Sequence, residues 1–178
     1  MDAKGISVTE IDSNSIQQDI LSSFHHNQVI RKKWLYDCEW KTVDCFITRQ
    51  WDNEKRKWIP QYWQEQIDRG GTVLTAYDKE RIIGFVCLDG GIVEKAKKYA
   101  NLTMLFVDDE YQGQGIGKQL FIEILKYAKK MAADKLYISA IPSIDTIAFY
   151  LKLGCKDAKE IIPEYIDSME DRPLEYVL

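Results

Sequence analysis

The chain has 178 residues, 46% of them hydrophobic, which suits one globular domain with a full core. Its formal net charge of −4 argues against nucleic acid as a partner and permits a cationic one. No apolar run of about 18 residues occurs, so no membrane span is expected.

Ile6 to Ile11 alternates apolar and polar residues and predicts a first strand. Asp12 or Asn14 then caps a short helix with Ile16, Ile20, Leu21 and Phe24 inward, and His25 and His26 fall at its solvated end. Residues 28–63 hold all five tryptophans, Trp34, Trp40, Trp51, Trp58 and Trp63, among Asp37, Glu39, Asp44, Asp52 and Glu54. Val29, Lys33 and Tyr36 are at helical spacing; the rest of the stretch has no clean period. Two readings stand side by side. One is a satellite core, since Trp is a packing residue. The other is a pocket whose aromatic faces and carboxylates hold an amine cation.

Ile59 to Ile67 reads as a short helix after Pro60, stopped by Gly70 and Gly71. Thr72–Tyr77 and Ile82–Leu88 form a hairpin across the polar turn Asp78–Arg81, closed by Asp89-Gly-Gly91. Residues 92–100, with Glu94, Lys95, Lys97 and Lys98, are expected to be an exposed loop or helical turn.

The stretch from 101 to 120 organises the chain. Leu102 to Val107 is an apolar run short enough for a buried strand. It turns through Asp108, Asp109 and Glu110 into three glycines at alternate positions, Gly113, Gly115 and Gly117. Ile116, Leu120, Phe121, Ile124, Leu125 and Ala128 then fall on one helical face, running to about Ala132. The first N–H groups of a helix lack partners and carry positive potential, and glycines let a ligand approach them. Strand, glycine turn and helix therefore predict an anion cradle, most naturally for phosphate. A P-loop of the nucleotide-binding kind is excluded, because Gln112 and Gln119 replace its glycine and hydroxyl residue. A dinucleotide fingerprint fails at Lys118.

Leu136–Ala140 is another strand, and a helix from Thr146 to Leu153 follows Pro142, with Ser143 or Asp145 at its start and Gly154 at its end. Leu174–Leu178 is a last strand. The four cysteines, Cys38, Cys45, Cys87 and Cys155, form no Cys-x-x-Cys pair, and the only histidines adjoin each other, so no metal is expected. Free thiols in a reducing, cytoplasmic setting are expected, and no leader peptide is seen.

Gln112-x-x-Gly115-x-Gly117, between strand and helix, resembles the acetyl-CoA loop of the GNAT superfamily, the Gcn5-related N-acetyltransferases. Asp145-Thr-Ile-Ala148-Phe149-Tyr150, with Gly154 and Cys155, resembles the second GNAT signature, with Asp145 where Asn is usual and Cys155 where Phe is usual. The layout, including the Leu-Glu-Tyr-Val-Leu ending, is similar to uncharacterised bacterial members. The resemblance implies an α/β (α+β) fold over residues 1–178 as one domain: a mixed, mostly antiparallel central sheet flanked by helices. The region of about 25–66 then covers the acceptor side. It further implies that the backbone of Leu105, Phe106 and Val107 pairs with the pantetheine arm. Gln112, Gly113, Gln114, Gly115, Ile116, Gly117 and Lys118 would hold the pyrophosphate, and Asp145 would face the arm as an acceptor only. Tyr150 would be the general acid that protonates the leaving thiolate.

The activity expected is transfer of acetyl from acetyl-CoA, as cosubstrate, to a primary amine of a small molecule, by direct attack. Trp34, Trp40, Glu39 and Asp89 are candidate acceptor-side residues. Glu39, Asp89, Glu94 or a water chain could serve as base. Acetylation of a protein N-terminus or lysine is the runner-up. A non-catalytic CoA-binding sensor is the rival from another class. Homodimerisation stays open.

Overall fold

The computed structural model describes residues 6–178. Among the described residues nine strands occur in chain order: β1 (Ser7–Glu10), β2 (Asn27–Asp37), β3 (Glu39–Gln50), β4 (Thr72–Asp78), β5 (Arg81–Glu94), β6 (Lys98–Val107), β7 (Lys135–Ala140), β8 (Lys156–Asp157) and β9 (Arg172–Val177). Seven of them form the main sheet, in the order β1-β4-β5-β6-β7-β9-β8. Every neighbouring pair is antiparallel except β6 and β7. Strands β2 and β3 make a separate two-stranded ribbon. Three α-helices are described: α1 (Asn53–Asp68), α2 (Ile116–Lys130) and α3 (Ile144–Lys152). No described helix is long and apolar enough to cross a membrane.

Each face of the sheet carries its own core. Helix α2 lays Ile116, Leu120, Phe121, Ile124 and Ala128 on Leu74, Val86, Leu88 and Ala100, joined by Ile147 and Tyr150 of α3. The opposite face meets α1 through Ile59 and Trp63, with Trp51, Phe24, Phe85 and Cys87. Beside that second core, Tyr99 and Tyr137 pack with Ile162 and Tyr165 from a short 3-10 turn. Burying one such side chain contributes about 1.5–3 kcal/mol, so the two-sided burial of β5 makes it the keel of the fold.

The strand-turn-helix reading from 101 to 132 agrees with the structure, as do the strands near 72, 136 and 174 and the helix after Ser143. Four expectations are corrected. The helix expected after Asp12 is only a 3-10 turn, Ser13–Ser15, although Leu21 and Phe24 are buried as predicted. The helical spacing in 28–37 is misleading, because this segment is strand β2. Its turn to β3 is made at Cys38, at φ 59°, without glycine or proline to announce it. Helix α1 starts seven residues before Pro60, where the Asp52 carboxylate accepts from the Lys55 N–H at 2.7 Å. Pro60 sits in the helix interior, where its lost hydrogen bond is offset by its own burial beside Ile59 and Trp63. Finally, residues 92–100 are not a loop. Strand β5 runs on to Glu94, and β6 begins at Lys98, with Tyr99 and Ala100 fully buried.

Candidate active site

The site begins where the parallel pair gives way. Strands β6 and β7 are in register only at Tyr99–Lys135, Ala100–Leu136 and Asn101–Tyr137. From Leu102 onward β6 keeps β5 on one side and, among the described residues, has no strand on the other. The ladder alternation fixes which groups face the gap. The Asp108 N–H donates to the Ile83 carbonyl at 2.9 Å, so Val107 and Gly84 are a non-hydrogen-bonded pair. Val107 and Leu105 therefore turn their N–H and C=O groups toward the gap, away from β5. The side chains of Leu105 and Val107 pack on the α2 face, whereas Phe106 packs on the α1 face.

The glycine turn lies at the end of this open edge. Gly113 and Gly115 have φ of +77° and +85°, and a Cβ on either would meet nothing within 4 Å. They supply a backbone conformation and leave space above it. Gly115 caps α2 without any side-chain acceptor, and the first helical bond is from Gln119 N–H to the Gly115 carbonyl at 3.0 Å. The N–H groups of Ile116, Gly117 and Lys118 thus have no intrahelical partner. Gln112 and Gln114 brace the turn. Gln112 Nε2 donates to the Val107 carbonyl at 3.3 Å and to Asp109 at 3.1 Å, and Gln114 Nε2 to the Glu110 carbonyl at 3.3 Å. Gly117 serves packing instead. Its missing Cβ leaves room for the Phe149 ring, which would lie only 3.2 Å from such an atom, and so α3 seats closely against α2.

Beneath the turn, Asp108 is fully buried and accepts from the N–H groups of His25 and Glu110 and from Arg81 Nη2, at 2.9, 3.0 and 2.8 Å. His25, Asp108 and Glu110 are close enough to suggest a metal centre. Arg81 already bridges both carboxylates, with Nη1 2.8 Å from Glu110, so a cation there would have to displace it.

Tyr150 is buried on α3, its ring against Phe121 and Phe149. Burial raises its pKa well above the ordinary tyrosine value, and the Cys155 thiol adds to the rise. It holds its proton throughout the physiological range. It gives that proton up less readily than a free phenol would, so the expected role as donor to a leaving thiolate requires that thiolate to share its desolvated surroundings. Burial also pushes the Cys87 and Cys155 thiols up to about 12, so neither is a thiolate near neutral pH. Asp145 lies in the first turn of α3; the cap of that helix is Ser143, whose Oγ accepts from the Thr146 N–H at 3.1 Å.

The acceptor-side candidates separate. Trp34 and Trp40 face a cation, but it is the chain's own Arg172, whose Cζ lies 4.7 and 4.9 Å from their ring centres. Glu39 is at the ribbon tip, exposed and 3.6 Å from Lys41. Glu94 is exposed at the end of β5. Asp89 is half-buried, accepting from the Gly91 N–H at 3.1 Å with Arg69 at 3.5 Å. His26 is not solvated: its ring packs on Trp51 and Phe106, its Nδ1 is buried without a partner among the described residues, and burial lowers its pKa.

Sequence reasoning missed a second acidic group at the gap, on the α1 face. Asp171 is 8% exposed and accepts from Ser139 Oγ at 2.7 Å. That same oxygen accepts from the Asp167 N–H at 3.1 Å. Burial raises the pKa of both carboxyls; Asp171 adds to the rise at Asp167, while Ser139 and Arg49 oppose it at Asp171. Among the described residues neither carboxyl forms an ion pair. Tyr62 of α1 stands nearby, its pKa pushed up to about 12 by burial and also raised by Asp89 and Asp167. Only the acidic cluster in Ile166–Asp171, which no periodicity organises, hinted at this in the sequence.

The family model described as acetyltransferase (GNAT) family matches residues 34–155. The chain belongs to the GNAT family. This GNAT chain is 28% identical over 119 residues to an uncharacterised N-acetyltransferase of Methanocaldococcus jannaschii, a match covering 64% of the chain and 51% of that protein. It spans about half the length of the curated relatives it matches. Among solved structures it resembles a nourseothricin acetyltransferase, with a TM-score of 0.68 and 12% identity over 97% of this chain and 96% of that one. It also resembles a putative streptothricin acetyltransferase from Bacillus anthracis in complex with acetyl coenzyme A, with a TM-score of 0.65 and 19% identity over 96% and 95% of the chains. At these identities the likeness is one of fold: the sheet and helices described above are those of GNAT acetyltransferases.

Proposed function

We propose that this GNAT chain transfers acetyl from acetyl-CoA to a primary amine of a small molecule, by direct attack within a ternary complex. The observation that carries this is the open edge of β6 leading straight into an uncapped helix N-terminus. An extended amide-bearing arm fits the first as an added strand, and a diphosphate fits the second. The acetyl-CoA complex of the streptothricin acetyltransferase agrees with the cosubstrate, and the names of both similar folds agree with a small acceptor.

In this reading the N–H groups of residues 113–118 hold the diphosphate, and those of Leu105 and Val107 align the arm along the gap. The acceptor comes from the other face, past Tyr62, Asp89, Asp167 and Asp171, whose carboxylates favour a cationic amine. Once the ammonium has lost a proton to water or a neighbouring carboxylate, its nitrogen attacks the thioester carbon. A strand N–H stabilises the developing oxyanion, an effect often worth about 3 kcal/mol. The C–S bond breaks, Tyr150 donates its proton to the departing sulfur, and the acetylated nitrogen sheds its second proton through water, which restores the Tyr150 hydroxyl. Buried thiols at Cys87 and Cys155 agree with a route that uses no acyl-cysteine.

The test is thiol release from acetyl-CoA with a panel of polyamines, aminoglycosides, amino acids and peptides, beside calorimetry with CoA. Turnover with a small amine supports the proposal. Turnover with peptides alone moves the acceptor to protein, and tight CoA binding with no turnover leaves a sensor.

A further inference from the structure

The ribbon β2–β3 stands over the gap between β6 and β7, and the structure shows what holds it there. At one end the Asn27 N–H donates to Asp109, just past β6, at 2.8 Å. Further along, the Trp34 N–H donates to the Pro142 carbonyl, just past β7, at 2.7 Å, and Gln28 reaches Ser143 and Thr146 at 3.2 and 3.3 Å. Strand β2 therefore spans the carboxyl ends of the two strands that part. A ribbon of two strands is marginal by itself, so its position depends on such ties.

The tie nearest the ribbon tip is Arg172. It opens β9 opposite Ala140 and is 8% exposed. Its Nε and Nη2 hold the two Asp157 oxygens at 2.7 and 2.9 Å, a planar fork that lysine does not reproduce. Its guanidinium also lies against Trp34 of β2 and Trp40 of β3, at 4.7 and 4.9 Å from the ring centres. Nη1 is buried with no hydrogen-bond partner among the described residues. A buried cation with an unmet donor is a costly way to fill space, and an apolar side chain would pack there without that cost. What the guanidinium adds is direction: it locks both indoles to the main sheet at once.

We infer that Arg172 is a positioning residue for the acceptor: it fixes the ribbon as the outer wall of the gap and so sets how tightly the amine is held. The inference rests on the transferase reading above. The contacts of Arg172 are Asp157, Trp34 and Trp40, not the glycine turn or the open edge of β6, so CoA affinity is a separate readout in the test.

The experiment compares wild type with Arg172→Met, Arg172→Lys and Trp40→Leu, the last of which leaves the main sheet untouched. For the best amine of the panel, Arg172→Met raises KM about 10-fold with kcat little changed, a split that marks lost ground-state binding. Arg172→Lys fails to restore it, and Trp40→Leu moves KM in the same direction. The Arg172→Met/Trp40→Leu double variant is no worse than Arg172→Met alone, because both act through one contact. CoA affinity by calorimetry stays within about 2-fold throughout. In hydrogen exchange, amides of 28–49 lose protection in Arg172→Met. Unchanged KM in a variant whose ribbon has lost protection overturns the inference, and so does full rescue by lysine or a matching loss of CoA affinity. A wild type that binds CoA and acetylates none of the amines instead overturns the transferase reading, and this inference with it.

Discussion

Gly115→Ala puts the cradle to its hardest test. The residue sits at φ +85° and ψ 0°, and a Cβ there meets nothing within 4 Å. Crowding therefore contributes nothing, and the cost in the free protein is the left-handed backbone alone, about 1–2 kcal/mol. For a chain of this size that lowers Tm by roughly 2–8 °C, at about 2–4 °C per kcal/mol. If a diphosphate rests on these amides, the new methyl group occupies its approach. Losing one charge-assisted bond of about 1.5–3 kcal/mol weakens CoA binding at least about 10-fold. Gly70→Ala is the matched control. It has φ +87° and equally open surroundings, but it lies after α1, away from the cradle. Thermal melts should show similar losses for the two variants, and calorimetry should show weakened CoA binding for Gly115→Ala only. Equal CoA affinity in Gly115→Ala and wild type, or an equal fall in both variants, would refute the cradle. Gly117 is a poor place for this test, since a side chain there strikes Phe149 and reads packing instead.

Tyr150→Phe removes one hydroxyl; we expect kcat to fall about 10–100-fold in rapid-mix assays, with CoA affinity within about 2-fold. Arg81→Ala leaves the buried Asp108 carboxylate without its cation, and urea titration should show about 3 kcal/mol of lost stability. Asp171 has a folded pKa raised above its unfolded value, so it favours the native state at low pH and that contribution is lost as pH rises through the folded pKa. Asp171→Asn should therefore flatten the stability–pH curve just above the ordinary carboxylate range, cost nothing at neutral pH, and weaken a cationic acceptor. A steeper curve would contradict the assigned sign.

The glycine turn and the helix start behind it were legible because their physics is local. A strand, a turn and a helix that follow one another within a short stretch announce themselves by period and by glycine. The acidic group around Ser139 was not, because it is assembled from distant segments. Tyr62 comes from a helix whose start was hidden before Pro60, and Asp171 and Ser139 meet only through β7 and β9. The ribbon failed to show as strand because both of its faces are largely wet and its turn residue is a cysteine. Trp34 and Trp40 were read as candidates to hold an acceptor amine, and no local pattern could reveal that the chain's own Arg172 lies against both.

The parting of β6 and β7 makes the sheet a partition with a slot in it. In the proposed reading two ligands meet through that slot and do not queue at one doorway, so either can come or go while the other stays seated. Steady-state patterns should follow: spent coenzyme competes with fresh coenzyme, yet it inhibits the amine without competing for its place.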